Sequence, residues 1–268
     1  PTATFAVAPP NLGTKAGAWA KLAAGDSHTR STSASPRHRM GTARTLTPRA
    51  GAGPSAASAR PPLPSRPMAE ALPIRDRTGE IDGQPIFWRE AAGSAPPVLY
   101  VHGVPTSSRD WLPFLARTGG LAPDLPGFGQ SSKRGDLGFS IPFYDGWIET
   151  FLAATGADRI RLVVHDWGAA ALAFAQRHPE RIERLVIINA VPLLPGYRWH
   201  RIARVWRTRF AGEFAMGLVS RRTLGWISRE ANATPGPMPD DFVRATAAAF
   251  DQGTQRAILR LYRSAPPA

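Results

Sequence analysis

The chain has 268 residues, with 33 Lys plus Arg against 20 Asp plus Glu and no cysteine. The lack of cysteine excludes a disulfide scaffold, a zinc-thiolate site and a cysteine nucleophile, and no apolar run approaches the ~18 residues of a membrane span. The formal charge of +13 is unevenly spread, so it does not by itself indicate a nucleic-acid binder.

Residues 1–67 carry nine basic residues and one acid, Asp26. Ala, Pro, Thr, Ser and Gly fill 46 of these 67 positions. The larger apolar residues are few, and the prolines break any helical or strand period. Such a segment cannot bury enough apolar surface to offset its chain entropy. The expectation is a disordered basic leader, with Met68 as the true start. Its Arg and Ser content resembles a transit peptide, but the amphipathic pattern of one is missing.

From Met68 the pattern alternates between strand and helix. Gln84–Glu90 reads as an early strand around Ile86, Phe87 and Trp88. Val98–Val101 is a continuous apolar run, as a central strand buried on both faces would be. Ser107 or Ser108 then caps a helix through Trp111, Leu112 and Leu115, with Gly119 as its stop. Leu121–Pro123 is a weaker strand. Ser140 caps a helix with Tyr144, Trp147, Ile148, Phe151 and Leu152 on one face, ended by Gly156. Ile160–Val164 is a strand, Gly168–Arg177 a helix, and Leu185–Ile188 a strand. Residues 68–190 therefore read as an α/β core, a mostly parallel sheet with helices on both faces. Residues 191–268 show no further strand and read as a helical cap rich in Trp and Arg.

In an open α/β sheet, ligands bind beyond the carboxyl ends of the strands, and three strand ends here carry unusual loops. The third is Val164-His165-Asp166-Trp167-Gly168-Ala169. Its small residues allow a sharp strand-to-helix turn that lifts Asp166 out of the sheet at a helix N-terminus. This is the geometry of a nucleophile elbow with Asp where Ser is usual, and the positive helix end favours an ionised carboxylate. Taken alone, Asp before a helix is also a good N-cap. The first loop, His102-Gly103-Val104-Pro105, puts the Val104 amide at the same sheet edge. With the Trp167 amide it would hold a developing oxyanion. His102 reads as structural, and so do Asp124 and its loop, Asp124 to Ser132.

Taken in order, His-Gly-x-Pro, Asp-Leu-Pro-Gly-Phe-Gly and His-Asp-Trp-Gly resemble the aspartate-nucleophile branch of the α/β-hydrolase fold family. That branch holds epoxide hydrolases and haloalkane dehalogenases. The resemblance runs from about Ile74 to the C-terminus. It implies a cofactor-free hydrolase in which Asp166 forms an alkyl-enzyme ester, later cleaved by a histidine-activated water. It also implies a small apolar electrophile as substrate; the charge gathered in residues 1–67 and the lack of a spanning run add the expectation of no nucleic-acid and no membrane partner, and the setting is expected to be cytoplasmic. Trp167, Tyr197 and Tyr262 are the substrate-binding candidates. Val104 lacks the side-chain donor that dehalogenases often carry after His-Gly, and Tyr262-Arg263 is similar to an epoxide-hydrolase pattern. Val164 at the elbow and the poorer match of Tyr197 lean the other way. The resemblance thus favours an epoxide, with a haloalkane or a non-catalytic relative as alternatives.

The family continues after the cap with strands that carry the catalytic acid and histidine. No such pair follows the cap here, so the expectation is a C-terminally truncated chain with no evident base and an open apolar sheet edge. His200, in the cap, is a poor substitute for that base.

Overall fold

The computed structural model describes residues 4–7, 70–191, 197–229 and 236–265, the first of these by backbone alone. Seven strands form one sheet: β1 (Thr4–Val7), β2 (Ile74–Ile81), β3 (Gln84–Ala91), β4 (Val98–Val101), β5 (Gly120–Pro123), β6 (Ile160–His165) and β7 (Ile182–Ile188). Their spatial order is β1-β7-β6-β4-β5-β3-β2. β4 pairs in parallel with β5 and β6, and β6 with β7. β3 runs antiparallel to both β2 and β5. The mostly parallel reading therefore holds for the centre, while one side of the sheet is antiparallel.

β2 has no counterpart in the sequence reading. Its residues are charged on both faces and nearly all exposed, so no period-2 signal marks it. It is held by a two-residue hairpin at Asp82-Gly83, both at positive φ (49° and 71°), the conformation that an Asp-Gly turn supplies to a tight hairpin.

The central strands are apolar throughout because both sheet faces are covered. Leu99 and Val101 of β4 and Leu162 and Val164 of β6 pack on one face. They meet α2 (Ile141–Ala154) and α3 (Ala171–Arg177) through Ile148, Phe151 and Phe174. Tyr100 points to the other face, with Trp111 and with Leu115 of α1 (Leu112–Thr118). α2 begins where expected: the Ser140 side chain accepts from the Phe143 amide. The helix expected from Ser107 starts as a 3-10 turn, Ser108–Trp111, before α1. The one expected from Gly168 likewise opens as a 3-10 turn, Asp166–Ala170, before α3.

At its far side β7 pairs in parallel with β1, Phe5 opposite Leu185 and Val7 opposite Ile187. Four residues of the expected leader thus form a strand, and the edge expected to be open on β7 is occupied along them. Residues 8–69 lie outside the described residues.

The cap contributes α4 (Arg201–Arg207), α5 (Ala211–Gly217), α6 (Arg221–Ser228), α7 (Asp240–Ala249) and α8 (Gln252–Ser264). As expected, the described residues of this region contain no strand. α8 ties the cap to the core over the Asp124–Ser132 loop. Thr254 Oγ1 donates to the Gly127 carbonyl at 3.0 Å, and Lys133 Nζ pairs with Asp251 at 2.7 Å. Ala257 sits so close to Gly127 that a Cβ there would approach its methyl to 2.5 Å. This docking carries Tyr262 of α8 over the carboxyl end of β6.

Candidate functional site

The site forms where β4 and β6 end. Asp166 follows β6 at φ 50°, a left-handed backbone that a non-glycine residue adopts at a cost of about 1–3 kcal/mol. Two close approaches enforce it. A Cβ at Gly168 would stand 2.4 Å from the Val101 carbonyl, and one at Gly103 would stand 2.5 Å from Asp166 Cβ. The Asp166 carbonyl accepts from the Val191 amide at 3.1 Å.

Asp166 is half-buried, and two backbone amides favour its carboxylate. Val104 N–H donates to Oδ1 at 2.8 Å, and Trp167 N–H bonds the carboxyl group as well. Burial pushes the Asp166 carboxyl above the ordinary carboxylate range; the two amides, and then His165 and His200, pull against it. The loop residues expected to form an oxyanion hole, Val104 and Trp167, thus both present their amides to the Asp166 carboxylate itself.

Cap residues close over this carboxylate. Burial raises the Tyr262 phenol well above its usual range, and the Asp166 charge raises it further, so its hydroxyl is protonated. Tyr197 is raised by burial and by Asp166 in the same way. Desolvation by its neighbours pulls His200 down, against the opposing effect of Asp166. Tyr197, Tyr262 and Trp167 are thereby brought to one place with Asp166. His200 joins them. In the sequence its only signal was its place in the aromatic run Tyr197-Arg198-Trp199-His200.

His200 is not free to act as a base at Nδ1. That nitrogen accepts from the Ala203 amide at 3.3 Å as the N-cap of α4. A neutral imidazole bonded in this way carries its proton on Nε2, making that nitrogen a donor.

The aromatic wall is dense. Trp167 stacks on Trp199 with centroids 5.7 Å apart, and Tyr262 meets Trp167 edge-on at 4.9 Å. Trp206 meets Tyr262 at 5.0 Å. The Trp167 Nε1–H is buried and faces the Tyr262 hydroxyl without reaching full hydrogen-bond geometry. Beside the elbow an apolar cleft of about 590 Å³ runs between core and cap, lined by His165, Ile188, Thr106, Phe114 and Phe242 among others.

His102 and Asp124 hold the loops. His102 is fully buried. Its Nε2 accepts from the Leu125 amide at 2.9 Å, which leaves Nδ1–H to donate to the Gly103 carbonyl at 2.7 Å. Asp124 accepts from the amides of Ser108 and Gln130 at 2.7 and 2.8 Å. Among the described residues no cluster of three His, Asp or Glu side chains could hold a metal, and no helix is long and apolar enough to cross a membrane.

Comparison with known proteins agrees with this fold. The α/β hydrolase fold family matches residues 96–216. A haloalkane dehalogenase of Mesorhizobium japonicum is 36% identical over 148 residues, covering 53% of this chain and 45% of that protein. The structure of Cfl2 from Burkholderia cenocepacia superposes with a TM-score of 0.63 at 28% identity, over 72% of this chain and 71% of that one. The epoxide hydrolase CorEH shares the fold, with a TM-score of 0.61 at 24% identity over 72% and 74% of the two chains. The chain spans about half the length of the curated relatives it matches.

Proposed function

We propose that this chain, which belongs to the α/β-hydrolase fold family, carries the covalent half of an Asp-nucleophile hydrolase and acts on an epoxide. Asp166 attacks an epoxide carbon, forming a C–O ester bond as the ring C–O bond breaks. The departing ring oxygen takes a proton from the Tyr262 hydroxyl. The two amides, from Val104 and Trp167, hold the carboxylate in an attacking position, and its partial burial thins the water that would blunt it. No cofactor enters this step.

The observation that carries the epoxide reading is the protonated Tyr262 hydroxyl, buried within reach of the Asp166 charge. An alkoxide leaving group needs such an acid; a halide does not. Release of the ester requires a water activated by a base. His200 Nδ1 is taken up by the Ala203 amide, so the proposal concerns the alkylation step alone.

One observation favours a second reading. The buried Trp167 Nε1–H makes no full hydrogen bond in the fold, and a halide is a suitable acceptor for it. The sequence relatives named as haloalkane dehalogenases support the same alternative.

The test is intact-protein mass spectrometry of the full chain with styrene oxide or a primary bromoalkane. The expected result is one adduct, mapped to Asp166, formed faster with the epoxide and absent in Asp166→Asn. Adducts elsewhere, or none, would overturn the reading. Faster adduct formation with the bromoalkane, with one bromide released per chain, would favour the alternative.

A further inference from the structure

The described cap exposes apolar side chains that the fold does not use. Phe210, Phe214 and Leu218 are 80%, 71% and 58% exposed, and they recur every fourth residue along α5 and its two ends. The Phe214 amide donates to the Phe210 carbonyl at 2.9 Å, so Phe210 begins the helical turn. These side chains therefore share one face. Phe210 stands at φ 65°, a region that bulky residues avoid, and the Arg209 guanidinium lies 5.9 Å from its ring centroid. On the next helix, α6, no residue is fully buried, and Trp226 is 65% exposed. Trp226 lines a groove of about 610 Å³ with Arg222 and Arg229.

Arginine outnumbers acid around these residues, and the carboxylate that lines the groove, Asp240, is paired with Arg221 and Arg244. Residues 197–229 hold eight arginines and one acid, Glu213. Glu213 is neutralised by Arg263 at 2.7 Å, which holds its carboxyl down at about 2. Arg221 pairs with Asp240. Arg204, Arg209, Arg222 and Arg229 are exposed.

We propose that the α5–α6 face of the cap docks on an anionic lipid surface. The aromatic and leucine side chains enter the boundary between headgroups and acyl chains, and the arginines bind lipid phosphates. Trp226 with Arg222 and Arg229 is suited to a single headgroup, an aromatic ring at the interface beside two guanidinium groups. A second copy of the chain does not suit this face: a two-fold contact would set the same excess of arginine against itself. The expectation of no membrane partner came from the absence of a spanning segment, and docking of this kind needs none.

The experiment is flotation of the full chain with phosphatidylcholine vesicles, with and without a phosphatidylglycerol fraction. Binding is expected to the anionic vesicles, at least tenfold tighter than to phosphatidylcholine alone, and to weaken as salt is raised. Phe210→Ser and Phe214→Ser each lower the partition about tenfold, the loss expected for one interfacial ring. Arg222→Glu with Arg229→Glu removes the preference for anionic lipid. All four positions are on the surface, so the melting temperature serves as the check on folding and is expected to be unchanged. Equal binding to both vesicle types, or undiminished binding by the Phe210→Ser/Phe214→Ser variant, overturns the proposal. So does self-association that Phe210→Ser abolishes, or tighter binding of an oligonucleotide through the same residues.

Discussion

A single methyl group at Gly103 tests whether the elbow positions Asp166 for attack. In Gly103→Ala the new Cβ would lie 2.5 Å from Asp166 Cβ, 2.7 Å from Oδ1 and 3.0 Å from Cγ. Carbon atoms pack no closer than about 3.5 Å, so the shortfall is about 1 Å. Neither backbone yields easily. The Gly103 carbonyl is held by Thr106 N at 3.2 Å and by His102 Nδ1 at 2.7 Å, and the Asp166 carbonyl by Val191 N at 3.1 Å. The Asp166 side chain must therefore swing away and loosen its 2.8 Å bond from Val104 N–H. Overpacking of this size costs about 1–3 kcal/mol of stability, and a nucleophile misplaced by about 1 Å loses about 10²-fold in rate. The assay is the time course of Asp166 alkylation by excess styrene oxide, followed by intact mass and peptide mapping, with circular dichroism to confirm folding. A folded Gly103→Ala chain that alkylates at Asp166 within about threefold of the parent rate would refute the positioning argument.

Four further outcomes follow from the same geometry. Tyr262→Phe keeps the ring against Trp167 and Trp206 but removes the acid; alkylation by the epoxide is expected to slow by about 10²-fold or more, with bromoalkane alkylation little changed. Because burial raises the Asp166 carboxyl and only the carboxylate attacks, the alkylation rate should still be climbing with pH above the ordinary carboxylate range, as a pH–rate series would show. The same shift costs stability: ionisation of Asp166 weakens the fold as pH rises from the unfolded-state value through the raised folded one. Asp166→Asn escapes that loss, so its melting temperature should exceed the parent's at pH 7 and converge with it at acid pH. His102→Ala leaves the Leu125 amide and the Gly103 carbonyl without their buried partner and opens a cavity; about 3–5 kcal/mol of destabilisation is expected by urea denaturation.

Much of the core was readable in order. Val98–Val101, Ile160–Val164 and Leu185–Ile188 are largely apolar because both sheet faces are covered; Ser140 starts its helix and Gly119 ends another by local backbone chemistry. β2 was not readable, since its Arg, Asp and Glu side chains face water on both sides and only the Asp82-Gly83 turn and pairing to β3 hold it. The strand at Thr4–Val7 was not readable either, since pairing with β7 lies more than 170 residues away along the chain. At the site, the elbow loop announced itself through Asp166 between His165 and Trp167-Gly168. His200 did not. Its contribution comes from the docking of α4 and α8 over the elbow, a long-range contact with no local pattern.

The sequence by itself determined the α/β core, the three loops at the strand ends and the identity of the residue at the elbow. Those features depend on local periodicity, small residues at tight turns and the order of motifs along the chain. Only the tertiary structure decided that Val104 and Trp167 aim their amides at the Asp166 carboxylate, that Tyr262 is kept protonated above it and that His200 Nδ1 is taken up by the Ala203 amide. It alone also left Phe210, Phe214 and Leu218 outside the core. Those outcomes depend on desolvation and on which helix covers which loop. The opening charge of +13 is sharpened in the same way: part lies in residues 1–67, and a second part is gathered by the cap helices beside exposed aromatic rings.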